Sequence, residues 1–450
     1  MENKEQPMKE SNKRVPKRIA QSVLHSLKGG VVPRIGLPYI TVGRKHEIEA
    51  LLHDVEIIEE GGAAFRFVVG RYGSGKSFLL QTIRNYVMDR GFVVCDADLS
   101  PERRLQGTKG QGLATYRELI GNLATKTRPE GGALTLVLDR WINTVQANAA
   151  AQSGLAPGDP ALVAAVDKKI YEVTAAISEL VHGFEFARLL SVYYHAYVEG
   201  DDEARMKVIR WFRAEYDRKR DAREELGVSI IITDDDWYDY LKIFAVFFRL
   251  AGYRGMMVMI DELVNIYKIP NSISRQYNYE KLLTIYNDAL QGKAGYIGFI
   301  MGATPRALED KRRGIYSYEA LRSRLSEGRF SKPGVRDMLA PVIRLDPLSA
   351  EEMLVLCEKL ADMHAGLYGY ERRLTDEDLA EFIRLEYARI GADANITPRE
   401  VIRDFIELSD LLYQNSTMDM LALLESDSFV YAKSDAVSDR ADEAYAEFTI

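Results

Sequence analysis

An α/β fold, with a parallel sheet interrupted by a large helical insertion and followed by a C-terminal helical region, is what this chain of 450 residues predicts. Three observations carry that expectation. A strand, a glycine-rich turn, a helix and a second strand follow one another over residues 64–97, the order of a parallel βαβ unit. Residues from about 113 to 250 are overwhelmingly helical in pattern. Strand patterns then resume at 256–260, 296–301 and 342–345.

Taken in order, residues 1–16 are polar and basic, with Lys4, Lys9, Lys13 and Arg14, and bury little. An amphipathic helix follows, with Ile19, Val23, Leu24 and Leu27 on one face and a stop at Gly29-Gly30. Residues 38–44 read as a strand or extended segment entering a helix over 47–57. The β-branched and aromatic run 64–69 reads as a buried strand, 78–88 as a helix and 92–97 as a second strand. The helical stretch breaks at 128–132 and at 156–160, where proline and glycine cluster. Pro347 opens helices over about 350–412, and the end from about Ser426 is acidic and weakly apolar. The expected organisation is a basic tail and short helix at 1–35, a nucleotide-binding domain at 36–346 with the insertion, a helical lid at 347–415 and a tail at 416–450.

Hydrophobic residues make up 47% and charged residues 28%, the composition of a folded soluble protein. A net charge of -8 speaks against a surface that coats nucleic acid throughout, so any such contact is regional. Cys95 and Cys357 are too few and too far apart for a disulfide framework, and six scattered histidines suggest no transition-metal site. With no apolar leader and no spanning apolar run, a cytoplasmic location without membrane contact is expected.

Gly70-Arg71-Tyr72-Gly73-Ser74-Gly75-Lys76-Ser77 fits the full G-x-x-x-x-G-K-S pattern, between a strand and a helix. Its glycines let backbone amides face phosphate oxygens, Lys76 supplies charge at the β/γ positions and Ser77 a ligand for magnesium. Phe78 follows at the helix start. The complementary acid should end a buried strand, and Asp261-Glu262 does so: Asp261 for Mg2+, Glu262 to orient and deprotonate water. A lone carboxylate after a strand is as often a helix cap, but the upstream loop shifts the balance. Thr304, in Gly302-Ala303-Thr304-Pro305, is placed either as a γ-phosphate sensor or as a plain turn residue. Arg324, with Arg322 and Arg329 as alternatives, lies on an arginine-rich stretch that suits either a transition-state arginine or a solvated face. Thr397, Pro398 and Glu400 mark a helix start with a capping box. Arg399 then stands where the helix dipole disfavours a cation unless an anion such as a γ-phosphate compensates.

This ordered set resembles an AAA+ ATPase. In that superfamily Val42-Gly43-Arg44 corresponds to the adenine-side box, Thr304 to sensor 1, Ser323-Arg324 to the arginine finger and Arg399 to sensor 2 in a helical lid. The chain is similar to the origin-recognition and replication-initiator branch, and most of all to the ATP-binding BrxC/BrxD family of BREX bacteriophage-exclusion systems, at the shorter, BrxD-like length. The resembling stretches are 18–34, 39–47, the P-loop, Ile260-Asp261-Glu262-Leu263, 318–330 and 397–405. The resemblance implies an AAA+ fold with a lid, ATP and Mg2+ as ligands, ATP hydrolysis, and a homo-oligomer in which a neighbouring subunit completes the site. It further implies a prokaryotic antiviral defence role on DNA beside helicase, methyltransferase or phosphatase-like partners. A winged-helix DNA reader is not expected in the short stretch after residue 415.

Two functions from different classes follow. One is an oligomerising, DNA-associated ATPase that remodels or loads partners, with Arg213, Lys219-Arg220 and Lys311-Arg312-Arg313 as candidate phosphate contacts. The other is a nucleotide-controlled switch or scaffold with slow turnover. A P-loop kinase is disfavoured by the Asp261-Glu262 pair and the later arginines.

Overall fold

A computed structural model describes residues 15–156, 159–326, 337–389, 397–415 and 417–424. Arg329, most of the basic tail and residues 425–450 lie outside the described residues. Two compact units emerge, one from the described parts of Met1–Arg44, Tyr72–Gln81 and Asp346–Ile450, the other from Lys45–Arg71 and Thr82–Leu345.

The second unit is built on a five-stranded parallel sheet of order β2-β3-β4-β1-β5. Its strands are β1 (Ala63–Val69), β2 (Val93–Asp98), β3 (Met256–Asp261), β4 (Ile297–Ala303) and β5 (Val342–Arg344). β3 and β4 are buried along their whole length, as expected of a parallel sheet covered on both faces. Register aligns the strand ends: Val69 lies beside Ala303, Ile260 beside Met301 and Asp98 beside Asp261. The residues that leave β1, β4 and β3 therefore emerge along one carboxyl edge, where open α/β sheets bind ligands.

One charge is buried in β1. Arg66 grips Asp54 of helix Lys45–Glu59 through two hydrogen bonds of 2.6 Å each and donates to the carbonyls of Leu339 and Ala340. Paired and held by four hydrogen bonds, an arginine is tolerated where an unpaired one would cost several kcal/mol.

The predicted helical stretch runs from helix Gln111–Gly121 to helix Trp237–Leu250. Its core is aromatic, with Trp141 edge-on to Phe247 at 5.2 Å and Phe186 edge-on to Phe244 at 5.1 Å, and it is continuous with the sheet core. The first predicted break is wider than expected and touches the sheet, because Ala124 bridges to Val94 on β2. At the second break, Asp159 caps helix Pro160–Val173.

The first unit is helical. Helix Lys17–Lys28 buries Ala20, Val23 and Leu24 in one core with helices Ala350–Tyr368, Asp376–Arg389 and Pro398–Gln414. A short helix, Met420–Leu424, buries Met420, Leu423 and Leu424 in the same core, within the stretch read as a tail. Residues 38–44 depart from the extended reading. A helix spans Leu37–Ile40, since Pro38 sits in a first turn where its missing N–H costs nothing. Thr41 closes it, donating both its N–H and its hydroxyl to the Leu37 carbonyl. Among the described residues no helix is long and apolar enough to cross a membrane.

Candidate functional site

β1 runs directly into the glycine-rich loop. The Gly70 N–H is held by the Ala303 carbonyl at 3.1 Å, and helix Lys76–Asp89 begins at the loop lysine. The strand, loop and helix context that the motif requires is therefore present. Gly73 and Gly75 both adopt left-handed φ, +75° and +93°. At Gly73 this is joined by close approach, since a Cβ there would lie 2.7 Å from Thr397 Oγ1.

Within the first unit the fold gathers pieces far apart in sequence. Arg44 Nη2 donates to the Ser74 carbonyl at 3.0 Å, bracing the loop from outside. Arg44 itself has φ +62°, a conformation rarely kept by a side-chain-bearing residue unless its surroundings impose it. Val42 and Phe78 pack against the helical core. Thr397 and Glu400 form the expected capping box, the Glu400 carboxylate accepting from the Thr397 N–H and hydroxyl at 3.1 Å each. Arg399, one residue beyond Pro398, lies with its guanidinium carbon 4.7 Å from the centroid of the Tyr72 ring. Tyr72 occupies a variable position of the motif, so sequence reasoning passed over it.

The loop fits a phosphate. Ser74 is buried, and its hydroxyl finds no hydrogen-bond partner among the described residues. A buried, unsatisfied hydroxyl is costly unless a ligand oxygen accepts from it. Lys76 is half-buried and Ser77 exposed at the start of a 14-residue helix, and a helix start presents its positive dipole end to an anion.

Along the carboxyl edge of the sheet, Asp261 ends β3 and is buried, and its Oδ1 accepts from the Glu262 N–H at 2.8 Å. Glu262 leaves the strand with φ +60°, which turns its side chain out of the strand's alternation. Gly302 on β4 makes room for the acid, since a Cβ there would stand 2.0 Å from Asp261 Oδ1. Thr304 is the N-cap of helix Pro305–Glu309, its hydroxyl accepting from the Ala307 N–H at 3.2 Å. As acceptor in that bond, the hydroxyl keeps its own proton for donation. Asp98, beside Asp261 in register, is a third acid that sequence reasoning missed. Burial, then the neighbouring charges of Asp261 and Asp96, push its carboxyl above the usual range. Its signal was an acid at a strand end, the same cue that marked Asp261. The Asp261 carboxylate and, separately, the Ser77 hydroxyl are each of the hard oxygen type that magnesium takes.

The arginines divide. Arg324, on helix Glu319–Leu325, is exposed and donates to the Ala320 carbonyl at 2.7 Å, while Arg322 pairs with Glu319. Arg220 is paired with Glu224 at 2.7 Å. By contrast, Lys311 and Arg312 are exposed and form no ion pair among the described residues. They adjoin Arg306 and Arg313, both of which face the Tyr267 ring at 5.3 Å. Cys95 and Cys357 are buried free thiols, and desolvation raises both pKa values, which makes them unreactive.

No curated protein matches the chain. The family model for the BREX system ATP-binding protein BrxC/D matches residues 15–428. That span runs from the N-terminal helix through the phosphate loop, both strands bearing the acids and the capped helix of Arg399. With an ATP-type phosphate loop and a match over most of its length, the chain belongs to the BREX system ATP-binding protein BrxC/D family.

Proposed function

We propose that this BREX ATP-binding protein is an AAA+ ATPase that hydrolyses ATP with Mg2+ and works as a homo-oligomer on DNA with other BREX proteins. The observation that carries the reading is the alignment of strand ends, with Gly70, Thr304 and the Asp261-Glu262 pair leaving one edge of a parallel sheet. A glycine-rich phosphate loop on the first of those strands and acids on another are the parts that phosphoryl transfer needs. Residues 36–346 are read as the nucleotide-binding domain and 347–415 as its lid.

In this reading the loop amides of residues 73–77 and Lys76 hold the β- and γ-phosphates, and the Ser74 hydroxyl gains the acceptor it lacks. Val42, Gly43, Arg44 and Phe78 flank the adenine side. Ser77 and Asp261 would hold magnesium, which would supply positive charge to offset that of the phosphates. Glu262 accepts the proton of the attacking water. Thr304 donates its remaining hydroxyl proton toward the γ-phosphate or the water. Arg399 meets the γ-phosphate from the lid helix, and Arg324 acts from a neighbouring subunit.

Glu262→Gln tests the chemistry. ATP affinity should stay within about twofold while turnover falls by roughly 100-fold or more, the scale of a lost general base. Turnover that persists in the variant removes Glu262 from the role. A wild-type chain that binds ATP but does not turn it over would favour a slow nucleotide-controlled switch.

A further inference from the structure

We infer that Tyr72 is a positioning residue for Arg399, holding its guanidinium in readiness for a γ-phosphate and so favouring ATP over ADP. This rests on the proposed role of Arg399. Tyr72 is 48% exposed, so its ring is not placed to fill a core; it lies against a cation. Arg399 occupies the first turn of helix Pro398–Gln414, where the helix's partial positive charge repels it. The acid of that turn, Glu400, is engaged by the Thr397 N–H and hydroxyl. The electron-rich face of Tyr72 offsets the repulsion.

The contact is held from a second side. Next to Tyr72, Gly73 approaches Thr397 so closely that it has no room for a Cβ. Two successive loop residues thus meet the start of one helix, and the guanidinium stays near the loop that binds phosphates. The contact leaves Arg399 competent, because a guanidinium carries five N–H donors and one ring face cannot occupy them all. An arginine already ordered loses less freedom when a phosphate arrives, and that saving appears as affinity. ADP has no γ-phosphate and gains nothing from it.

The test uses the full chain carrying Glu262→Gln, so that ATP persists, and measures the affinities for ATP and for ADP. Tyr72→Leu should weaken ATP about two- to fivefold, the value of one exposed cation–π contact, and leave ADP unchanged. Tyr72→Phe keeps the ring face and should restore the ATP preference. In an Arg399→Ala background Tyr72→Leu should have no further effect, since the two act as one unit. Equal weakening of ATP and ADP by Tyr72→Leu would mean damage to the loop and overturns the inference, as would effects that add to those of Arg399→Ala. If Arg399→Ala alone leaves the ATP preference intact, the phosphate role of Arg399 falls. If Arg399→Ala abolishes the preference and Tyr72→Leu does not touch it, only the positioning role of Tyr72 is lost.

Discussion

At the scale of the residue, the Asp261 carboxylate depends on an atom that is missing. The space beside Oδ1 exists because position 302 on the neighbouring strand has no side chain, and a Cβ there would stand 2.0 Å away. Gly302→Ala should therefore push the carboxylate aside without altering the phosphate loop. Displacing a group that positions a reaction by about 1 Å costs on the order of 100-fold in rate. If the chain hydrolyses ATP with Mg2+ as proposed, we expect a fall of that size in activity, with a higher Mg2+ concentration needed for half-maximal rate. Steady-state kinetics across a Mg2+ series checks it, and an unchanged Mg2+ dependence would show that the site tolerates the methyl. Lys76, Ser77 and Asp261 stand out in sequence because the proposed chemistry demands fixed residue types at fixed spacing. Gly302 reads in sequence as part of a turn, but its purpose lies in what its neighbour on β3 occupies.

At the scale of the element, helix Pro398–Gln414 carries Arg399 at its start and an ionic anchor near its end. Asp410 accepts from Lys28 Nζ at 2.6 Å and bonds the buried His364 Nε2 at 3.0 Å, while His364 Nδ1 meets the Tyr370 hydroxyl at 2.7 Å. Burial opposes the charged form of Asp410, but hydrogen bonds from His364 and Lys28, with the Lys28 charge, outweigh it and hold its carboxyl below the usual range. Lys28 is correspondingly raised, chiefly by its hydrogen bond to Asp410. A depressed carboxyl stabilises the fold above its unfolded value of about 4 and loses that contribution as pH falls through the lower folded value. A raised lysine keeps its contribution until pH rises above about 10. Both contributions are present at neutral pH. Asp410→Asn should cost about 1–3 kcal/mol at pH 7, as a buried imidazole loses its charged partner. The difference from wild type should shrink below about pH 4; denaturant unfolding at several pH values reads this, and a pH-independent difference would refute the ionic account. The helix itself was readable from its capping box and first-turn proline, whereas a partner 382 positions away in the chain was not.

For the whole molecule, a net charge of -8 makes any nucleic-acid contact a local matter. The three basic runs that looked alike in sequence differ in the fold. Arg220 spends its charge on Glu224, and Arg213 is half-buried, with its Nε enclosed. Lys311 and Arg312 project from the turn that follows helix Pro305–Glu309, backed by Arg306 and Arg313 on Tyr267. If the chain meets DNA through this turn, Lys311→Glu combined with Arg312→Glu should weaken binding about tenfold or more at 0.1 M salt and lower the salt slope by about 2. Binding across a salt series measures both, and an unaltered slope would move the contact elsewhere. Neither residue belongs to the proposed catalytic set, so hydrolysis without DNA should be unchanged.

Sequence by itself determined the local chemistry: a strand entering a glycine loop and helix, an Asp-Glu pair ending a buried strand, and a capped helix beginning Thr397-Pro398-Arg399. Such features follow from backbone conformations and side-chain bonds spanning a few residues, so they are written in short windows. Residues 38–44 read as extended in sequence, yet Leu37–Ile40 is helical, because a proline in a helical first turn costs no hydrogen bond. The tertiary structure alone decided the strand order, which lines up Gly70, Thr304 and Asp261 although they are separated by a long helical stretch. It also decided that Arg44 braces Ser74, that Tyr72 faces Arg399 and that Gly302 yields its space to Asp261. Those are contacts between distant segments, selected by the packing of whole helices and strands, and no spacing along the chain encodes them.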